Sequence, residues 1–382
     1  MNFKITDTQQ MVRDSIREFA ETEVAPTAAA RDESEEFPSE AVQKLGELGF
    51  MGVNVAEEYG GSGLDNVSYA LAVEELARVD ASTAIIVSVQ NSLVCFPLEY
   101  FGTAEQKKKY LIPLASGKKL GAFSLSETGS GSDAGAMTTT AVKDGDYYII
   151  NGNKNFVTSG ANCDYVIVFA VTDQSMGTRG TSAFIVDVNT PGFSVGKKEL
   201  KMGIRSSDTV SLILENCRIP ASDLLGTEGG GFKIALTALN SGRIGVASQA
   251  LGIAQGAMDE AVKYSKVRQQ FGKRIIDFQA TQFKIARMAT DIEAARWLLY
   301  SAADRKDRKE NYIKEAAMAK LFCSETAVRT ALEAVQIHGG YGYIKEYPVE
   351  RYLRDSKITT IYEGTNEVMH LVISGQIIGK GK

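Results

Sequence analysis

Glu363 stands between Tyr362 and Gly364 in the segment IYEGTNEV, just ahead of what reads as the last helix. A carboxylate among apolar and small neighbours is one that burial can turn into a base working near neutrality. It is equally an acid placed favourably at a helix N-terminus. Five further segments carry chemically useful groups. LSETGSGSDAG (125–135) offers close backbone approach and the hydroxyls of Ser126 and Ser132, but alone it reads as a flexible turn. No strand–helix unit surrounds it, so it is not a dinucleotide fingerprint. In NGNKNFVTSG (151–160) the Asn151–Gly152 pair suits a hairpin turn. Phe156 and Thr158 on the following strand are an aromatic and a hydroxyl that can pack on a planar ring system. RIGVASQALG (243–252) and VRQQFGKRI (267–275) bring Arg243 and Arg268, either of which can grip a phosphate or serve as a structural ion pair. QIHGGYGY (336–343) places Gly339 and Gly340 where they must break a helix. Each segment by itself has an ordinary structural explanation.

These groups have to be positioned by elements whose order the periodicity shows. Residues up to about 115 read as helical, with capping boxes at Thr6/Gln9 and Thr103/Gln106 and a helical stretch over Val67–Leu76. Val12, Ile16 and Phe19 share one helix face. From about 120 to 225 short β-branched runs (YYII, YVIVFAV, SAFIVDV, TVSLILEN) alternate with turn residues. Beyond GTEGGGF, read as a linker, the helical period returns. Ile285, Met288, Ile292, Ala295 and Leu299 form one seam, a second long helix spans Ile313–Ile337, and RKDRKENY (305–312) reads as a solvated turn between them. The expected fold is α+β and mostly helical, neither doubly wound nor a repeat array.

Composition narrows the function class. The 382 residues exceed one minimal core, and 44% hydrophobic with 23% charged residues is ordinary for a globular chain. A net charge of −5 argues against a general nucleic-acid binder, which needs a basic face. Four scattered cysteines and two histidines, His338 and His370, argue against a disulfide scaffold or metal centre. His338 reads as a helix-end residue, His370 as half-buried, and Trp297 as packed between helices. Without a signal-like N-terminus, and with apolar runs such as VIVFAV (166–171) too short to span a bilayer, a cytoplasmic protein with no membrane span is expected.

Taken together, LSETGSGSDAG, RQQFGK, QIHGGYGY and IYEGTNE, in this order and spacing, resemble the acyl-CoA dehydrogenase family over essentially the whole chain. GRIGVASQALGIAQGA is most similar to its short-chain, butyryl-CoA type. The resemblance implies an N-terminal helical domain (1–117), a middle β-barrel-like domain (118–228) and a C-terminal four-helix bundle (229–382). It implies FAD as cofactor, with Phe123, Leu125, Ser126, Phe156 and Thr158 along the flavin. Arg268, Phe271 and Gln279 would reach FAD across a subunit interface, Gln336, Gly339 and Gly340 would hold its pyrophosphate or adenosine part, and Thr365, Asn366 and Glu367 would lie along it. Ser132, Asn240, Arg243 and Gly364 would meet the acyl-CoA substrate. Glu363 would take the α-proton while a β-hydride passes to flavin, giving trans-2-enoyl-CoA, and an electron-transfer flavoprotein would accept the electrons. The family's oxyanion hole uses the backbone N–H of this glutamate and a ribityl hydroxyl. A homotetramer, a dimer of dimers, is implied as well. Some relatives carry the base on another helix, at a position matching Gly242; glutaryl-CoA enzymes carry an arginine at a position matching about Ala84. Asn240 stands where relatives often have aspartate, and Thr128 where many have proline. Alternatives are an oxidase-like or desulfinase-like relative, a medium- or branched-chain dehydrogenase, a non-catalytic protein keeping the fold, and work within an electron-bifurcating complex.

Overall fold

The computed structural model describes residues 4–379. The Thr6 hydroxyl accepts from the Gln9 amide at 3.2 Å while the Gln9 side chain accepts from the Thr6 amide at 2.9 Å, opening helix α1 (Asp7–Phe19). A π-turn over Ala20–Val24 leads into α2 (Ala25–Ser34), followed by α3 (Ser39–Glu47) and α4 (Asn66–Ala77). Then come α5 (Ala81–Val89), α6 (Phe96–Phe101) and the short α7 (Ala104–Gln106) and α8 (Ile112–Ala115). The continuous stretch Ala81–Phe101 is long and apolar enough to cross a membrane, which the sequence reading overlooked. In its apolar window 94% of the residues are buried, so here it is the central core element of the N-terminal unit.

The middle unit is an eight-stranded mixed sheet. Its strands are β1 (Gly121–Ser124), β2 (Thr140–Asp144), β3 (Tyr147–Thr158), β4 (Tyr165–Val171), β5 (Thr181–Asp187), β6 (Phe193–Lys198), β7 (Thr209–Pro220) and β8 (Leu224–Leu225). They run in the order β6-β7-β3-β2-β4-β5-β8, with β1 beside β4 in parallel. Val210, Leu212 and Leu214 alternate inward along β7 as their pattern required. Asn151–Gly152 does not make the expected hairpin turn. It lies inside β3, at an irregularity in the pairing with β7, where a Cβ on Gly152 would meet Thr139 Oγ1 at 2.4 Å. The β2–β3 turn falls instead at Gly145–Asp146, where Gly145 supplies φ +58°.

The C-terminal unit holds α9 (Gly231–Val267), a small hairpin of β9 (Gln269–Gln270) and β10 (Lys273–Arg274), α10 (Gln279–Asp307), α11 (Ile313–His338), α12 (Val349–Ile358) and α13 (Asn366–Ile378). Met288, Ile292, Ala295 and Leu299 are buried along the expected seam of α10. Residues 305–307 are still helix, and Lys306 turns inward to within 2.6 Å of Ser241 Oγ, with its ammonium 4.2 Å from the centre of the Phe96 ring. Its stem stays partly exposed while burial of the tip lowers its pKa to about 7, so only the remainder of RKDRKENY is a turn. His338 ends α11, buried and stacked at 4.2 Å on Tyr264, whereas His370 is exposed rather than half-buried.

One apolar core joins α1, α4 and α5 to the C-terminal bundle, and another lies within the sheet. Close approach in the first depends on glycine: a Cβ on Gly245 of α9 would stand 2.1 Å from Ser88 Oγ, and one on Gly252 2.2 Å from the Glu74 carbonyl. A third core brings Ile85, Val89 and Leu93 against Ile167 and Phe169 of β4 and Ile234 and Ala238 of α9. All three units meet there, and there the principal cleft opens. Burying each of the larger of these side chains contributes about 1.5–3 kcal/mol.

Candidate active site

The cleft has a volume of about 830 Å³ and draws its walls from all three units. From the sheet come Phe123, Leu125, Ser126, Ser132, Phe156 and Thr158; from the helices come Ile85, Val89, Leu93, Leu236 and Arg243; Tyr362, Glu363, Gly364 and Thr365 close it. Ten of the sequence-selected residues thus converge, though the longest gap between neighbours among them runs from Arg243 to Glu363. On α5 it is Ile85 that faces the cleft. Ala84, about where the sequence reading placed the arginine of glutaryl-type enzymes, points into the helical core instead. That wall is aliphatic either way.

The glycine-rich loop is held rigidly at its base. Glu127 accepts from the Thr138 amide at 2.6 Å, the Thr139 amide at 3.0 Å and the buried Lys154 ammonium at 2.8 Å. Lys154 also donates to the Leu125 carbonyl at 3.2 Å, and the Asn155 amide donates to the Ser126 carbonyl at 2.9 Å. Burial works against ionisation of Glu127, but these donors prevail and hold its pKa down at about 2. Sequence reasoning missed this anchor, although Lys154 falls at an inward position of β3, where lysine is rare without a partner. Two residues on, Phe156 is 68% exposed at the cleft with φ +58°, a left-handed backbone that only a fixed surrounding sustains.

Glu363 is built differently. It follows α12, in the turn before the Thr365 hydroxyl caps α13 by accepting from the Val368 amide at 3.3 Å. Its own φ is +53° and that of Gly364 is +94°, which turns the side chain back under α9. There the carboxylate occupies the space Gly242 leaves free: a Cβ on Gly242 would lie 1.8 Å from Glu363 Oε2. That oxygen is buried and has no hydrogen-bond partner among the described residues. Burial raises the Glu363 pKa to about 7, against the opposing pull of Lys320 and Arg243. Tyr362 beside it donates its hydroxyl to Gln249 Oε1, and the Gln249 amide donates to the Ala81 carbonyl at 2.9 Å. Arg243 is buried with one guanidinium nitrogen unpartnered and another donating to Asn240 Oδ1 at 2.6 Å. Asn240 thus serves to orient Arg243.

The remaining selected residues lie elsewhere. Arg268, Gly339 and Gly340 line a second cleft of about 510 Å³ with Tyr264 and Tyr341, and the Arg268 guanidinium sits 5.3 Å from the Tyr341 ring centre. Phe271 is 94% exposed, and Gln279 and Gln336 also face solvent. Asn366 is turned away from the principal cleft: its Oδ1 accepts from Lys320 Nζ at 2.9 Å and from Ser324 Oγ at 3.1 Å. Glu367 is exposed on the first turn of α13.

Family comparison decides what this cleft belongs to. The acyl-CoA dehydrogenase N-terminal domain matches residues 6–118, the middle domain 122–217 and the C-terminal domain 229–378. The chain belongs to the acyl-CoA dehydrogenase family. It is 50% identical to the short-chain specific acyl-CoA dehydrogenase of Clostridium acetobutylicum, over 99% of this chain and 100% of that one. The butyryl-CoA dehydrogenase structure from Megasphaera elsdenii superposes with a TM-score of 0.98 at 49% identity, covering 99% of this chain and 100% of that one. A chain from the structure described as "Electron transferring flavoprotein of Acidaminococcus fermentans: Towards a mechanism of flavin-based electron bifurcation" superposes at 0.99 with 53% identity, all of each chain being covered. A glutaryl-CoA dehydrogenase from Mycobacterium smegmatis in complex with FADH2 superposes at 0.94 with 33% identity, covering 99% of this chain and 96% of that one.

As in the family, the fold is helical domain, sheet and helical domain. The cleft also fits a flavin: the exposed Phe156 is held beside it, and a Cβ on Gly131, which lines it, would meet nothing within 4 Å, leaving that backbone open to a bound group.

Proposed function

We propose that this acyl-CoA dehydrogenase family member removes hydrogen from the α and β carbons of a short-chain acyl-CoA to give the trans-2-enoyl-CoA, with Glu363 as the base. The observation that carries the reading is the buried, unpartnered Oε2 of Glu363, aimed into an apolar cleft beside a glycine that has no side chain to compete with it. Burial brings that carboxylate to about 7, the range in which a base both exists ionised and pulls a proton effectively. The α-C–H bond breaks toward Glu363, the new C=C forms, and the β-hydrogen leaves with its electron pair. Bound FAD supplies the acceptor for that hydride. Phe123, Leu125, Ser126, Phe156 and Thr158 would hold the flavin and Thr365 would lie along it; Ser132, Arg243 and Gly364 would meet the thioester ligand. Arg243, buried and incompletely paired, suits an anionic group at the cleft mouth.

The butyryl-CoA and short-chain relatives support the chain length, and the aliphatic wall of Ile85, Val89 and Leu93 offers no cation to a dicarboxylyl substrate. The Acidaminococcus structure supports an electron-transfer flavoprotein as the electron acceptor. Arg268, Gly339 and Gly340 line an open cleft, and Phe271, Gln279 and Gln336 are exposed where a second subunit would meet them, which supports the tetramer.

The test is anaerobic bleaching of the flavin absorbance by a series of acyl-CoA thioesters. Butyryl-CoA should bleach fastest, and Glu363→Gln should retain flavin and bind the thioester without bleaching. Near-normal bleaching in that variant would overturn the assignment of the base.

A further inference from the structure

Lys320 is a fully buried lysine on α11 to which neither the chemistry above nor any sequence motif assigns a task. Its ammonium donates to Asn366 Oδ1 at 2.9 Å, and Ser324 donates to the same oxygen at 3.1 Å. Asn366 opens α13 three residues after Glu363, so a charge on α11 is clamped to the short segment that carries the base. The charges acting on Lys320 come from three elements: Glu363 in the turn before α13, Glu367 on α13 and Arg243 on α9. Glu363 in turn faces two cations, Lys320 and Arg243; the nearby hydroxyls of Tyr69 and Tyr362 are pushed upward by burial and stay neutral.

The two cations differ in one decisive respect. Arg243 lines the cleft, where a bound anion can compensate it; Lys320 lies behind the wall, where no ligand in the cleft reaches it. A cation beside a carboxylate favours the ionised form, and does so most strongly when apolar substrate excludes water. Burial lowers Lys320 to about 8 while Glu363 is raised to about 7, so around neutrality both are substantially charged.

We propose that Lys320 is the positioning residue for the base: through Asn366 it fixes the segment carrying Glu363 and supplies the countercharge that keeps this carboxylate ionised when substrate fills the cleft. This rests on reading Glu363 as the base. The test separates the two claims by titrating the carboxyl directly. In pH-difference infrared spectra of the substrate-free holoenzyme, the protonated-carboxyl band abolished by Glu363→Gln reports that group without turnover. Lys320→Met should shift its midpoint upward by roughly one pH unit, and shift the acid limb of the flavin-reduction rate with it. Ser324→Ala removes a hydrogen bond from the same oxygen but no charge, and should leave the midpoint in place. A folded, flavin-containing Lys320→Met protein whose midpoint does not move overturns the proposal. Should that variant fail to fold, Asn366→Asp sets a carboxylate against the ammonium; the midpoint should again rise, and an unmoved midpoint overturns the proposal equally.

Discussion

Glu127 and Glu363 are both carboxylates carried into the interior, one beneath the glycine-rich loop and one on the opposite wall of the same cleft. Glu127 is surrounded by donors: two backbone amides, the Thr138 hydroxyl and the Lys154 ammonium. Glu363 has one oxygen with no partner among the described residues. Burial penalises both charges, yet the first is held near 2 and the second rises to about 7. The difference shows that burial alone does not make a base. A fully satisfied carboxylate becomes a structural rivet, while a buried one whose partners are withheld is raised toward neutrality, as the proposed base requires. The fold withholds them by placing Gly242 opposite and by giving Glu363 a left-handed backbone that removes its side chain from the helix-capping role its position would suit.

The comparison can be pressed from the rivet side first. Lys154→Met should leave Glu127 buried without its cation and destabilise the protein by about 3–5 kcal/mol, read in denaturant unfolding. A change within experimental scatter would mean that the amides alone hold Glu127. From the base side, Gly242→Ala places a methyl where the Glu363 carboxylate lies, so flavin reduction should slow by about 100-fold with flavin retained. A near-normal rate would show that the carboxylate reaches substrate from another position.

The smallest effect is also the most discriminating, because the two sites should answer pH with opposite signs. Glu127 binds protons more weakly folded than unfolded, so its contribution is present above 4.5 and is lost as pH falls toward about 2. Glu363 binds protons more tightly folded, so its site is most stable below 4.5 and loses stability as pH rises toward about 7. Unfolding free energies measured across pH should therefore respond to Glu363→Gln above neutrality, with a gain of about 1 kcal/mol, and not at pH 4. Loss of stability in that variant at pH 8 would contradict the idea that burying this charge costs more than its cations return.

Much of the architecture was legible because periodicity and capping act locally. Thr6/Gln9 and Thr103/Gln106 form the boxes their spacing required, the α10 seam is buried at four of its expected positions, and β7 alternates as read. Asn151–Gly152 misled because the chain continues as a strand through a pairing irregularity that only β7, about sixty residues on, creates. The stretch Ala81–Phe101 escaped notice because Ser88, Gln90, Asn91 and Ser92 interrupt its apolar run; each is buried in the fold. Lys320 had a signal that was passed over. It falls in the buried stripe of Ala316, Cys323 and Ala327, where a lysine needs a reason.

The chain itself determined which residue types are present and in what order: a glutamate before a helix cap, a glycine at the competing position, a glycine-rich loop and an aromatic–hydroxyl pair on one strand. Those are properties of local geometry and spacing, which a linear sequence carries. What only the tertiary structure decided is the electrostatic state of Glu363. Its lack of a partner, its nearness to Gly242 and the cation behind it on α11 come from three segments distant in sequence. Desolvation is a sum over everything packed around a group, and no single stretch of sequence contains that sum.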